Sequence, residues 1–148
     1  MPDIYTAAWY ESLKDILNRS EQVITKAPRG HYRVLAEIKG DGVSPYVRNG
    51  ETKRFTLDFD DGRCTEYREL AEPPTKRDFD FTLQLPASLF EGIVGNEADP
   101  VKAGLKGDIR IVGDMRILIQ HAELVNILRD VYVREALTDW PKGRPPYT

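Results

Sequence analysis

The hydrophobic periods of this chain predict an α/β domain of the α+β kind: an antiparallel or mixed sheet with helices packed on one face. Three observations carry that expectation. A stripe of helical period opens the chain, alternation of period two recurs between His31 and Leu85, and beyond Leu85 the period returns to nearly four. A chain of 148 residues fits one domain, and a domain of that size buries roughly 70% of the surface its unfolded chain exposes. The expected division is a helical segment over 1–30, the main domain over 31–138 and a flexible tail over 139–148.

In the first segment Ile4, Ala8, Leu13, Ile16 and Leu17 fall near one helical face, with Tyr5 and Trp9 at its edge and Asp3 as the expected cap. A break is expected near Asn18-Arg19-Ser20, and Pro28-Arg29-Gly30 ends the helical run. Tyr32, Val34, Ala36 and Ile38 then alternate with charged or larger neighbours in a first strand. Phe55, Leu57 and Phe59 alternate in a second, and Asp61-Gly62 is a hairpin signal leading to a return strand over about Arg63 to Leu70. Phe79, Phe81, Leu83 and Leu85 alternate most cleanly of all.

Pro86 sits where a helix starts, and Leu89, Phe90, Ile93 and Val94 form its stripe until Gly95. Asp99-Pro100 reads as a cap followed by proline in the first turn of a short helix that stops at Gly107. Ile109 and Ile111 alternate in a short strand ending at Gly113. Asp114 caps an expected long helix running to about Leu137, with Met115, Leu118, Ile119, Ala122, Val125, Leu128 and Val131 on its stripe and Leu124 and Ile127 widening it.

Composition excludes several functions. The net charge is −3, with both signs interspersed, so nucleic acid gains no electrostatic footing. No apolar run approaches the ~18 residues of a membrane span, and the N-terminus lacks the apolar core of a signal peptide. The single cysteine, Cys64, precludes an internal disulfide and fits a cytoplasmic setting.

Catalytic and metal motifs fail one by one. His31 and His121 lie far apart and read as surface or strand-end residues; Cys64 reads as an inert strand cysteine. Asp58, Asp60 and Asp61 resemble part of a calcium loop, but the glycine comes too early and the distal glutamate is missing. The glycines between Gly92 and Gly113 match neither a phosphate loop nor a dinucleotide fingerprint. No catalytic residue, metal or cofactor is therefore expected. What remains is apolar surface converging from three helical stripes and two strands, which either fills a core or surrounds a cavity.

The order of these pieces resembles the sterol carrier protein type 2 domain, also called the sterol-binding domain, in its bacterial stand-alone form. The resemblance rests on the alternating acidic strand Asp78 to Leu85, then Leu89-Phe90-Glu91-Gly92-Ile93-Val94, then Asp99-Pro100, then Gly107-Asp108-Ile109-Arg110-Ile111-Val112-Gly113-Asp114. It covers roughly Gly30 to Val131. It implies a five-stranded sheet covered by helices over an apolar tunnel, and binding of fatty acids, fatty acyl-CoA, sterols or similar lipids. With the converging apolar faces, it marks Phe81, Leu83, Leu89, Phe90, Ile93, Ile109, Ile111, Leu118 and Ile119 as the expected ligand contacts. The expected partner is an apolar small molecule or lipid, with a homodimer open and no stable membrane insertion. Two other readings stay open: an enzyme acting on an apolar substrate through Tyr32, Tyr67, Glu66 or His121, and a dimerisation module with a filled core.

Overall fold

The computed structural model describes residues 2–132 and 137–147. Its elements are α1 (Ala7–Arg19), α2 (Glu21–Lys26), β1 (His31–Lys39), β2 (Thr52–Asp60), β3 (Arg63–Leu70), β4 (Phe81–Pro86), α3 (Ala87–Val94), α4 (Pro100–Leu105), β5 (Arg110–Gly113), α5 (Met115–Gln120) and α6 (Ala122–Asp130). The five strands form one sheet in the order β3-β2-β1-β4-β5. β1 pairs antiparallel with β2 and parallel with β4, while β2–β3 and β4–β5 are antiparallel, so the sheet is mixed.

Two helix assignments are corrected. The cap of α1 is Thr6 rather than Asp3. Tyr5 adopts φ 68°, which turns the chain so that the Thr6 hydroxyl accepts from the Trp9 amide at 3.3 Å. The buried face then centres on Trp9, Tyr10, Leu13, Ile16 and Leu17, leaving Ala8 outside: large rings bury more apolar area than a methyl group. Ser20 ends α1 and caps α2 with its side chain, at the expected break. The long last helix is two helices. His121 leaves helical geometry (φ −113°, ψ 28°) and separates α5 from α6. No proline or glycine marks the spot, so the sequence carries no signal for it. Residues 133–136, over which a single helix is expected to continue, lie outside the described residues.

Strand register sorts the side chains. Tyr32, Val34 and Ala36 of β1 stand opposite Phe59, Leu57 and Phe55 of β2, and Val34 and Ala36 stand beside Phe81 and Leu83 of β4. These residues share the face covered by helices. The opposite face is polar but well packed. Arg33 pairs with buried Asp58 at 3.1 Å, Arg54 with buried Glu37 at 3.0 Å, and the Gln84 amide donates to Glu37 at 2.8 Å. Each buried carboxylate there faces an arginine, so buried charge is matched rather than stranded.

The β2–β3 turn has Asp61 at φ 47° and Gly62 at φ 86°, the geometry that suits a two-residue hairpin. A Cβ on Gly62 would also collide with the Ile24 backbone carbonyl of α2. Gly62→Ala is therefore expected to lower stability by about 2 kcal/mol or more, from a left-handed backbone plus a clash that must move α2. Urea unfolding checks this, and a loss below half that value would show that the turn relaxes freely.

The tail packs on the domain. Pro145 is buried against Gly95, the Arg144 guanidinium donates to the Gly95 carbonyl at 3.1 Å, and the Tyr46 hydroxyl donates to the Gly143 carbonyl at 2.8 Å. Asp139 hydrogen-bonds the backbone of Pro2 and Ile4.

Candidate functional site

Between the apolar sheet face and α3, α5 and α6 lies a cavity of about 290 Å³. Its floor is the alternating residues of β1, β2 and β4, which period two sends to one side. Phe90, Ile93 and Val94 of α3 form one wall. Ile117 and Leu118 of α5 and Leu124, Val125 and Leu128 of α6 form another, with Pro100, Ile109 and Ile111 between them. Only Tyr32, His121, Arg129 and Tyr132 among the lining residues carry a polar group. No carboxylate lines the cavity among the described residues.

Seven of the nine expected contacts line this space: Phe81, Leu83, Phe90, Ile93, Ile109, Ile111 and Leu118. Leu89 and Ile119 do not. Leu89 points off the cavity side of α3 and is half-buried against the core. Ile119 is 72% exposed. At about 100° per residue it lies a further step beyond Leu118, which is itself at the edge of the arc that faces the cavity. The expectation misses Val34, Leu57 and Leu85, although their alternation is a signal for them. It also misses Ile117, Leu124 and Leu128, which share an i, i+7, i+11 stripe.

Three of the four polar liners have partners of their own. Arg129 lies 3.7 Å from the Asp99 carboxylate and 3.6 Å from that of Asp130. The Tyr132 hydroxyl is hydrogen-bonded to that of Tyr67, and burial pushes both phenols above their ordinary range, so they stay neutral. His121 Nδ1 lies 3.3 Å from the Lys26 carbonyl oxygen. Glu66 sits away from the cavity, paired with Arg68 at 3.1 Å. Cys64 is buried outside the lining, its backbone amide donating to the Asn18 side chain at 2.8 Å, and burial pushes its thiol up to about 12. It is a thiol, not a thiolate, at neutral pH. Among the described residues no group of three or more His, Cys, Asp or Glu side chains is arranged to hold a metal ion.

The wall helix α3 is held from behind by a polar cluster. Glu91 is fully buried on the side away from the cavity. It accepts hydrogen bonds from the hydroxyls of Tyr5 at 2.5 Å, Ser44 at 2.8 Å and Tyr147 at 2.6 Å. Burial raises its carboxyl above the ordinary range, although the three donors pull the other way. Pro86 precedes α3 without a side-chain cap. Asp41, from the loop after β1, takes that place by accepting from the Ser88 amide at 3.2 Å and from its hydroxyl. Asp41→Ala is expected to cost about 1 kcal/mol through the lost cap and to loosen the α3 wall. Amide exchange at Ser88 reads the effect directly, and unchanged protection there would count against this role.

No curated protein sequence matches the chain at a significant level. Solved structures do. Sterol carrier protein 2 superposes with a TM-score of 0.76 at 18% identity, covering 91% of this chain and 100% of that one. A conserved hypothetical protein of Thermus thermophilus, described as possibly a sterol carrier protein, gives 0.74 at 19% identity over 95% of this chain and 94% of its own. Palmitated SCP2L2 from Aedes aegypti gives 0.53 at 14% identity over 84% and 95%. At such identities these likenesses establish the fold. The sequence model of the SCP-2 sterol transfer family matches residues 20–126, most of the chain, and the chain belongs to that family.

Proposed function

We propose that this protein binds an apolar ligand, a fatty acid, fatty acyl group or similar lipid, in the cavity between sheet and helices, and that it acts as a carrier or accessory lipid-binding protein without turnover of its own. One observation carries the reading: a space of about 290 Å³ lined almost wholly by aliphatic and aromatic side chains. That volume lies near the lower end of the range usual for small-molecule sites. It favours a single acyl chain over a bulky sterol. Each methylene that leaves water contributes about 0.8 kcal/mol, so an acyl chain needs no charged partner to bind. The palmitated relative from Aedes aegypti lends the acyl reading support by analogy of fold. Residues 31–138 would form the binding unit, with the N-terminal segment and the tail bracing it.

The reading without turnover rests on the lining. A nucleophile would need to reach the ligand, and the lining holds no carboxylate, thiol or serine hydroxyl; His121 is its one general-base candidate, with no such nucleophile beside it among the lining residues. Mass spectrometry of organic extracts from purified protein tests the proposal, together with titration by a fluorescent fatty acid. Stoichiometric recovery of an acyl lipid and saturable binding at one site are expected. Failure of both with folded protein would reject the ligand, and hydrolysis of acyl esters or thioesters abolished by His121→Ala would reject the non-catalytic reading.

A further inference from the structure

We propose that a cluster of three phenols, Tyr10, Tyr67 and Tyr132, anchors the ligand by an uncharged carbonyl oxygen at the β3 side of the cavity. The inference rests on the lipid-binding reading above and adds the polar class of the ligand: an acyl ester, a ketone or a protonated fatty acid. The cavity floor ends on this side at β2. One strand further, Tyr67 of β3 stands opposite Leu57 and so on the same sheet face. Its hydroxyl is hydrogen-bonded to that of Tyr132, which lines the cavity. Tyr10 of α1 lays its ring against Tyr67 and against Phe55, another lining residue, with centroids 5.6 and 5.5 Å apart.

Buried tyrosine hydroxyls ordinarily find a partner. That of Tyr10 has none, although the residue is 1% exposed, and it is the sole buried side-chain polar group in that position among the described residues. Burial, and after it the charge of Glu69, raises the Tyr10 phenol above its ordinary range, so it keeps its proton. Glu69 itself faces Lys53 at 3.3 Å. The three phenols carry three protons, and the single bond between Tyr67 and Tyr132 uses one. Two donors are left beside a space lined almost wholly by carbon. A surplus of donors fits an acceptor, and a carbonyl oxygen offers two lone pairs and no proton. An ionised head is not matched there. Arg129 is the one guanidinium or ammonium among the described lining residues, and it already faces Asp99 and Asp130. In the filled site Tyr132 donates to the ligand, Tyr67 donates to Tyr132, and Tyr10 closes onto the Tyr67 oxygen. Each proton then has an acceptor, and each bond polarises the next.

The whole chain, loaded with a fluorescent fatty acid, is titrated with methyl laurate and with lauryl methyl ether, which has a methylene in place of the carbonyl. The ester is expected to displace the probe at about tenfold lower concentration, the effect of giving buried, unpaired donors an acceptor. Tyr132→Phe should bring that ratio to about one, and Tyr10→Phe should lower it about threefold. Tyr10→Phe removes a hydroxyl that has no partner, so the melting temperature of the unliganded protein should not fall. Infrared spectroscopy adds a readout that a purely structural cluster would not move. The carbonyl stretch of the bound ester should lie at lower wavenumber than in a hydrocarbon solvent, and Tyr132→Phe should abolish the shift. A ratio near one in the parent, or one that neither variant lowers, overturns the anchor while the cavity reading stands. So does a Tyr10→Phe protein that melts lower with its ratio unchanged, which would assign the hydroxyl to internal structure. Failure of both compounds to displace the probe, with the probe itself unbound, removes the cavity reading and the anchor together.

Discussion

Val34→Trp is expected to lower affinity for a fluorescent fatty acid at least about thirtyfold while changing thermal stability little. Val34 lies on the central strand β1, flanked by Leu57 and Phe81, and its side chain reaches the cavity. The strand is held on both sides, so the added ring has one direction in which to go. An indole there removes space for roughly three methylenes, each contributing about 0.8 kcal/mol to binding. In a filled core the same change would overpack and cost about 1–3 kcal/mol. Measured together, stability and affinity discriminate between the two. Heavy destabilisation with unchanged binding would mean that the space is core and that lipid binds elsewhere.

The second large effect belongs to Glu91. Glu91→Leu leaves the hydroxyls of Tyr5, Ser44 and Tyr147 without their acceptor, and a buried donor left unpaired costs ~1–3 kcal/mol. Ser44 and Tyr147 are partly exposed and recover some hydration, so an overall loss of about 2–5 kcal/mol is expected. Glu91→Gln keeps an acceptor and should be far milder. It also isolates a pH effect. Because burial raises the Glu91 carboxyl in the folded protein, the folded state holds this proton more tightly than the unfolded chain does. Its contribution is then fully present below the ordinary carboxylate pKa and is lost as pH rises through the raised value. The stability of the parent relative to Glu91→Gln should therefore fall from acid toward neutral pH in chemical unfolding. An opposite slope would mean that the three hydroxyls outweigh burial. Asp41 works the other way: burial raises it, but the bonds from Ser88, Ser44 and Val43 prevail and lower it. Its contribution is present above the ordinary carboxylate pKa and lost as pH falls through the lowered one.

Local periodicity makes much of the sheet legible. The β2–β3 hairpin, the alternation of β4 and the stripe of α3 can be read from their own neighbours. The parallel pairing of β1 with β4 cannot, because nothing within either strand names a partner so distant in sequence. The site follows the same division. Phe81, Leu83, Phe90 and Ile93 are legible because one strand and one helix each have a sharp apolar face. Ile119 is misplaced when the last helical stripe is drawn too wide. At 3.6 residues per turn, Ile117, His121, Leu124, Val125 and Leu128 group together, and Ile119 falls opposite. A narrower stripe separates them from the sequence alone. The Glu91 cluster is not legible at all, since it joins residues from the start of the chain, the loop after β1, α3 and the tail. A lone buried carboxylate in an apolar helix carries no mark of who will donate to it.

The parallel pairing also bears on how the molecule assembles. β1, β2 and β3 follow one another as neighbours and can zip up from local contacts, whereas β1 meets β4 across an offset of 47 residues. Closing so long a loop costs entropy before any contact repays it, and pairings of this kind set the pace of folding. The three-stranded meander is therefore expected to form, with Leu57 and Phe59 awaiting their cover, before β4 and the helices beyond it dock. A chain at that stage would present an open apolar sheet face, a surface prone to aggregate. An acyl lipid present at that stage would have a complete floor to rest on and no wall to pass. Refolding in the presence of fatty acid should accordingly load the protein faster than soaking the finished fold.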